Sequence, residues 1–266
     1  MHEQIKLKKY FFLLKRRLRV SARKKLFILL VCTISCISLF FKTNYETILT
    51  NQNNNVIFKS HCECQTYEEI ALTKFDTHYQ VASLNKLTNK ETILYNIEFD
   101  EFHKLNLTCN LYDTLRRGKG RKVLSYSLYG KQDKYYRKLK SIMKQVKQIF
   151  PNDWTIRIYH DDSINKSIIC ELKCLKESNG QMMDVVDFCN IQNEVNLKPI
   201  SFESLNNKSQ LKFDYVHAMK WRFFPIGDSF VDAFLSRDTD SNVLQRQFDS
   251  VKVWLESDKV GHIMRG

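Results

Sequence analysis

The chain is predicted to be an α/β protein built on a mostly parallel, mixed sheet flanked by helices. Three observations carry this. From Lys122 onward, hydrophobic runs of strand length alternate with longer segments of helical periodicity. Polar turn residues separate the two kinds of segment, and the chemistry-bearing residues fall just after the apolar runs. Val123–Leu128 forms the first strand and Tyr129-Gly130 its turn. Leu139, Ile142, Met143, Val146 and Ile149 recur at helical spacing among lysines, so Lys134–Phe150 is a helix stopped by Pro151. Trp154–Tyr159 makes a second strand, broken at His160-Asp161-Asp162, and Met183–Ile191 a third. Phe230–Ser236 is a clearer strand, followed by Arg237-Asp238-Thr239-Asp240. A helix starting near Ser241-Asn242 then carries Leu244, Phe248, Val251 and Leu255 on one face, and Gly261–Arg265 begins a further strand.

The net charge of +13 on 266 residues suggests a nucleic-acid partner until its distribution is considered. Residues 1–25 hold ten Lys/Arg against Glu3 alone, leaving 32 basic against 28 acidic residues over the other 241. The folded part is nearly neutral, which argues against DNA or RNA. After the basic tail, Leu26–Phe41 is an uncharged, largely apolar run of 16 residues, about 24 Å long as a helix. Lysines flank it, and the charge asymmetry places the N-terminus in the cytosol and the chain after Lys42 in the lumen. Residues 1–25 are thus expected to be a cytosolic tail and residues 26–41 an uncleaved signal anchor, since no small-residue cleavage site follows.

Cys32 and Cys36 lie in that run, leaving Cys62, Cys64, Cys109, Cys170, Cys174 and Cys189 for as many as three disulfides of open connectivity. Their spacing lacks the paired C-x-x-C of a structural zinc site. Asn106, Asn165 and Asn207 head glycosylation sequons. Residues 42–120 read as a lumenal stem with a small structured portion around Cys62–Cys109. It ends in the basic run Arg116–Lys122, a solvated linker with phosphate binding as the alternative reading. Residues 121–266 form the α/β domain.

The usual dinucleotide, P-loop, zincin and hydrolase-elbow motifs are absent from the sequence. What remains is Asp238-Thr239-Asp240 at a strand end. Two carboxylates one residue apart in an extended turn can face the same way and offer hard oxygens to Mn²⁺ or Mg²⁺, which would bridge a diphosphate.

With these residues in view, the chain resembles a Golgi glycosyltransferase of the type A fold. Trp221–Asp228, Phe234–Ser241 and His262–Arg265 are similar to runs in a group of glycosyltransferase-like proteins, as are Tyr126–Gly130, Pro151-x-x-Trp154 and Tyr159-x-Asp161. The resemblance covers about residues 122–265. It implies a nucleotide-diphosphate sugar as donor, a glycan or glycoprotein hydroxyl as acceptor, and Asp238 and Asp240 on the metal. Arg222 or Arg237 would touch the phosphates, Tyr129 the base, and Asp161 or Asp162 the ribose. His262 is expected in the core, Asp184 and Asp187 are unassigned, and no catalytic residue is identified. In that group Met-Arg is followed by further sequence, so an acceptor half is expected beyond Gly266. An inactive lumenal binding or scaffold protein of the same fold and a two-metal hydrolase or nuclease are the competing readings.

Overall fold

The computed structural model describes residues 54–65, 67–130, 133–192 and 216–263. The basic tail, the run Leu26–Phe41 and Asn207 lie outside the described residues, and no helix within those residues is long and apolar enough to cross a membrane.

Residues 55–98 form an antiparallel meander, β1 (Asn55–Lys59), β2 (Glu68–Lys74), β3 (His78–Asn85) and β4 (Lys90–Glu98), in sheet order β1-β2-β3-β4. Period-two alternation puts Val56, Phe58, Ile70, Leu72, Tyr79, Val81 and Ile97 on one face. These residues pack on Phe102, Leu105, Leu107, Tyr112 and Leu115. The β3–β4 turn uses Asn89 at φ 50°, and Asn85 Oδ1 accepts from the Leu87 and Thr88 amides. The structured part of the expected stem therefore runs from Asn55 through helix α1 (Phe99–Phe102) to helix α2 (Leu111–Arg117), well beyond the cysteine-bounded portion.

The second sheet is α/β: β5 (Arg121–Leu128), β6 (Trp154–His160), β7 (Val186–Asn190) and β8 (Val231–Arg237), all parallel, in order β7-β6-β5-β8. Helices α3 (Asp133–Ile149), α4 (Lys166–Lys173) and α5 (Gln245–Leu255) cover one face, where Leu124, Tyr126, Leu128, Ile156, Ile158 and Phe188 are buried. The described part of the connection from β7 to β8 packs on the opposite face and includes the 3-10 segment Ala218–Gly227. That opposite face is mixed: Ser125, Thr155, Arg157 and Asp187 are buried on it alongside Val123, Tyr159 and Cys189.

Helix α2 lies between the sheets. Asn110 caps it, its Oδ1 accepting from the Asp113 amide at 2.7 Å, and Gly118 at φ 76° ends it. Tyr112 and Leu115 enter the first core. On the other side Lys173 pairs with Asp113 at 2.5 Å, Arg116 with Asp184 at 2.6 Å and Arg117 with Asp187 at 2.9 Å. Burial pushes the Asp113 carboxyl up, but Lys173, Arg116 and Arg117 together hold it well below the ordinary carboxylate range. Disulfides Cys62–Cys170 and Cys64–Cys174 join the β1–β2 connection to α4, and Cys109–Cys189 joins the lead into α2 to β7.

Four expectations are corrected. Residues 261–263 form no strand, and Ile263 is 89% exposed; Trp254 Nε1 donates to the Lys259 carbonyl and turns the chain away after α5. His262 is exposed rather than in the core, for the same reason. The last helix begins at Gln245, not near Ser241, because Asp238–Asn242 is taken up by a turn and the Gln247 side chain accepts from the Leu244 amide. The basic run is not a solvated linker either: it comprises the last turn of α2, a glycine turn and the start of β5.

Because the Asp113–Lys173 pair is buried on both sides, Lys173→Met leaves a carboxylate short of its main partner. Urea unfolding should show a loss of about 3 kcal/mol. The double variant with Asp113→Asn should recover part of it, since no charge is then stranded.

Candidate functional site

The parallel strands run in the order third, second, first, fourth along the chain, so the order reverses at β5, beside β8. Sheets of this kind bind ligands outside the carboxyl ends of the strands at such a reversal. Tyr129-Gly130 follows β5, and Asp238-Thr239-Asp240 follows β8.

In the turn after β8, Asp238 and Asp240 are exposed while Thr239 between them is buried, the alternation expected if both carboxylates face solvent. The Ser241 amide donates to the Asp238 carbonyl at 3.3 Å and the Ser241 hydroxyl to Asp240 Oδ1 at 3.3 Å. Asp238 is ion-paired with Arg222 Nη1. Arg222 is itself set by the 3-10 segment, its amide donating to Ser127 Oγ at 3.0 Å at the end of β5. The neighbouring Trp221 is buried against Tyr159, Ile191 and the Cys109–Cys189 disulfide, so the arginine stands on a rigid base.

Trp221 also meets Tyr129 edge-on, with ring centroids 6.0 Å apart, and Tyr129 keeps 42% of its surface exposed. The Gly130 amide donates to Ser163 Oγ at 2.9 Å, and the Ser163 amide donates to Asp161 Oδ1 at 3.1 Å. Asp161 thus ties the end of β6 to the end of β5. Asp162 accepts from Asn190 at the end of β7. Asp238, Arg222 and Tyr129 are therefore linked through the 3-10 segment, Asp161 joins them through Gly130, and Asp240 shares the turn.

Arg237 is on the other side of the sheet. Register pairs it with Tyr126, a residue of the helix-covered face. Its Nη2 donates to the Asn242 carbonyl at 2.8 Å. Of the two arginines the sequence left open, only Arg222 reaches the carboxylates. Burial pushes the Tyr126 hydroxyl up to about 12 against the pull of Arg237.

Sequence reasoning did not single out Ser127, Ser163 or His160 as contributors. His160, the last residue of β6, is buried edge-on to Phe188, and its Nδ1 lies 3.0 Å from the Asp161 carbonyl. Burial pushes the imidazole down to about 4, with the Asp161 carbonyl opposing. The only signal was its place at a strand end. Asp184 and Asp187, left unassigned, are partners of Arg116 and Arg117 and lie at the opposite end of the sheet or within it.

The two exposed carboxylates are hard oxygen donors of the kind that hold Mn²⁺ or Mg²⁺, so the donor set fits such an ion, with Arg222 as the cation now beside Asp238. Comparisons of the chain with protein-family models, with curated proteins and with solved structures return no match.

Because the native imidazole of His160 is neutral down to about pH 4 while an unfolded one protonates near 6.5, stability is complete above pH 6.5 and is lost as pH falls toward 4. Between pH 7 and 4.5 urea midpoints should report a loss of about 2 kcal/mol from this group. His160→Gln should flatten that slope, and an unchanged slope would show that other groups produce it.

Proposed function

We propose that this protein is a metal-dependent glycosyltransferase of the type A fold. In this reading it transfers a sugar from a nucleotide-diphosphate donor to a glycan or glycoprotein hydroxyl. Leu26–Phe41 anchors it in the Golgi or endoplasmic reticulum membrane with the folded part in the lumen. The observation that carries the reading is the position of Asp238 and Asp240: exposed together at the carboxyl end of β8, where the strand order reverses. Three disulfides support an oxidising compartment.

In the reaction the bond from the anomeric carbon to the diphosphate breaks as the acceptor oxygen bonds to that carbon and gives up its proton. A divalent ion held by Asp238 and Asp240 supplies, when bound, neutralisation of charge on the leaving diphosphate. Arg222 releases Asp238 and turns its guanidinium to the phosphates, a charge-assisted contact from an anchored backbone. Tyr129 offers an exposed ring to the base, and Asp161 holds the β5 and β6 ends in register beneath the ribose. No residue is assigned as the base that takes the acceptor proton.

A second reading is favoured by the Arg222–Asp238 pair, which closes the turn without any metal and suits a non-catalytic lumenal binding protein of the same fold. Calorimetry with UDP and GDP, with and without Mn²⁺, separates the two. The transferase reading expects metal-dependent binding that falls at least tenfold in Asp238→Asn and Asp240→Asn with little change in melting temperature. Arg222→Gln should bind Mn²⁺ alone more tightly, having lost a competing cation, and bind the nucleotide more weakly. Equal binding in the presence of chelator favours the scaffold.

Topology is tested in sealed microsomes, where added protease should trim only the basic tail. Glycosidase should lower the mass through Asn165, which is exposed at the N-cap of α4. Asn106 should contribute less, because Thr108 of its sequon is fully buried against Asp228 in the folded chain. Digestion of residues 60–266 in sealed vesicles would overturn the lumenal assignment.

A further inference from the structure

The basic run Arg116-Arg117-Gly118-Lys119-Gly120-Arg121-Lys122 is not used by the site at the carboxyl ends, and the structure sorts its five cations. Arg116 and Arg117 pair with Asp184 and Asp187, Lys119 with Glu101, and Lys122 with Asp153 at 2.6 Å. Arg121 differs from the other four. Its Nε donates to the Arg117 carbonyl at 2.6 Å, and among the described residues no carboxylate lies within ion-pair distance of its guanidinium. The acidic groups that act on it electrostatically, Asp187 and Asp153, already hold Arg117 and Lys122. Burial, and then the charge of Arg117, push the Arg121 guanidinium below its ordinary value. A partly buried cation beside another cation is unfavourable in isolation, and an added anion relieves it.

Arg121 lines a cleft of about 500 Å³ at the amino-terminal ends of β5, β6 and β7, at the end of the sheet away from Asp238. Arg116, Arg117 and Lys147 stand in its wall, with Gln65, Asn152 and Gln181 as neutral donors and Glu68 and Asp184 as acids. Glu68 accepts from Ser83 Oγ at 2.8 Å, and Asp184 is clamped by Arg116. Lys147 meets its nearest acid, Glu177, only at 3.8 Å. Asp184 sits at φ 40°, in the left-handed region, and its carboxylate accepts from both Arg116 and Arg117.

We infer that this cleft is a second binding site, for a small polar ligand bearing an oxyanion (phosphate, sulfate or carboxylate), with the free fork of Arg121 as its anchor and Lys147 in support. The site is independent of the glycosyltransferase reading: it lies at the other end of the sheet and uses none of the same residues.

The test is calorimetric titration of inorganic phosphate into the full-length, disulfide-intact chain at low ionic strength, with chelator present so that nothing binds through a divalent ion. Saturable binding is expected, weakened at least tenfold in Arg121→Gln and unchanged in Lys119→Gln, whose lysine belongs to the same run but is paired with Glu101. Arg121→Lys keeps the charge and loses the fork, so it should bind at an intermediate level, and it serves if the glutamine variant fails to fold. Competition by acetate points to a carboxylate ligand, and competition by sulfate alone to a tetrahedral one. Absence of saturable binding, or equal binding by Arg121→Gln and Arg121→Lys and the parent chain, would overturn the assignment.

Discussion

The structure depends on how helix α2 is held between two sheets of different kinds. Its apolar side, Tyr112 and Leu115, completes the core of the antiparallel meander, while Asp113 and Arg117 meet α4 and β7 through buried ion pairs and Arg116 meets the half-exposed Asp184. Buried charges are costly unless every partner is in place, so this helix tolerates one orientation and one register. The three disulfides tie the same region, Cys109 just before α2 to Cys189 on β7, and Cys62 and Cys64 in the β1–β2 connection to Cys170 on α4 and Cys174 just after it. They limit the unfolded chain's freedom to separate the two halves.

That arrangement explains why one face of the parallel sheet buries polar and charged residues. Arg157, in the middle of β6, pairs with Asp228 at 2.7 Å, and the same carboxylate accepts from the Thr108 amide and hydroxyl. Asp228 ends the 3-10 segment, so the network joins the lead into α2, the central strand and the returning crossover. An arginine inside a strand would ordinarily point to solvent. Here it faces a layer that supplies a carboxylate, and burial is offset by the pairing. The crossover, fixed by Asp228 at one end and Trp221 within it, presents Arg222 to the turn after β8.

The two ends of the sheet consequently carry opposite chemistry. The carboxyl end holds the exposed carboxylates of Asp238 and Asp240 with Arg222 beside them. The amino end holds arginines whose acids are already committed, with one fork left over. The two ends are connected through Asp228, which ends the 3-10 segment carrying Arg222 and holds Thr108 in the lead into α2, whose last turn supplies Arg116 and Arg117 to the cleft.

Strands β5 to β8 and helices α3 and α5 could be read from periodicity because a parallel sheet buried on both faces and an amphipathic helix leave strong local patterns, as in Val123–Leu128 and Leu139–Ile149; the two-turn helix α4 was too short to be read this way. The Asp-x-Asp turn was visible for the same local reason. The meander of residues 55–98 was harder to see: its strands are short, only one face is apolar, and β4 is mostly exposed, so alternation is diluted by Lys, Glu, Asn and Thr. Which cysteines pair, which of Arg222 and Arg237 reaches Asp238, and which cation of the basic run stays unpaired are decided by contacts across roughly 15 to 110 residues. Two side chains adjacent in a strand point to opposite faces, and the face each one meets is set by whatever the tertiary fold packs there.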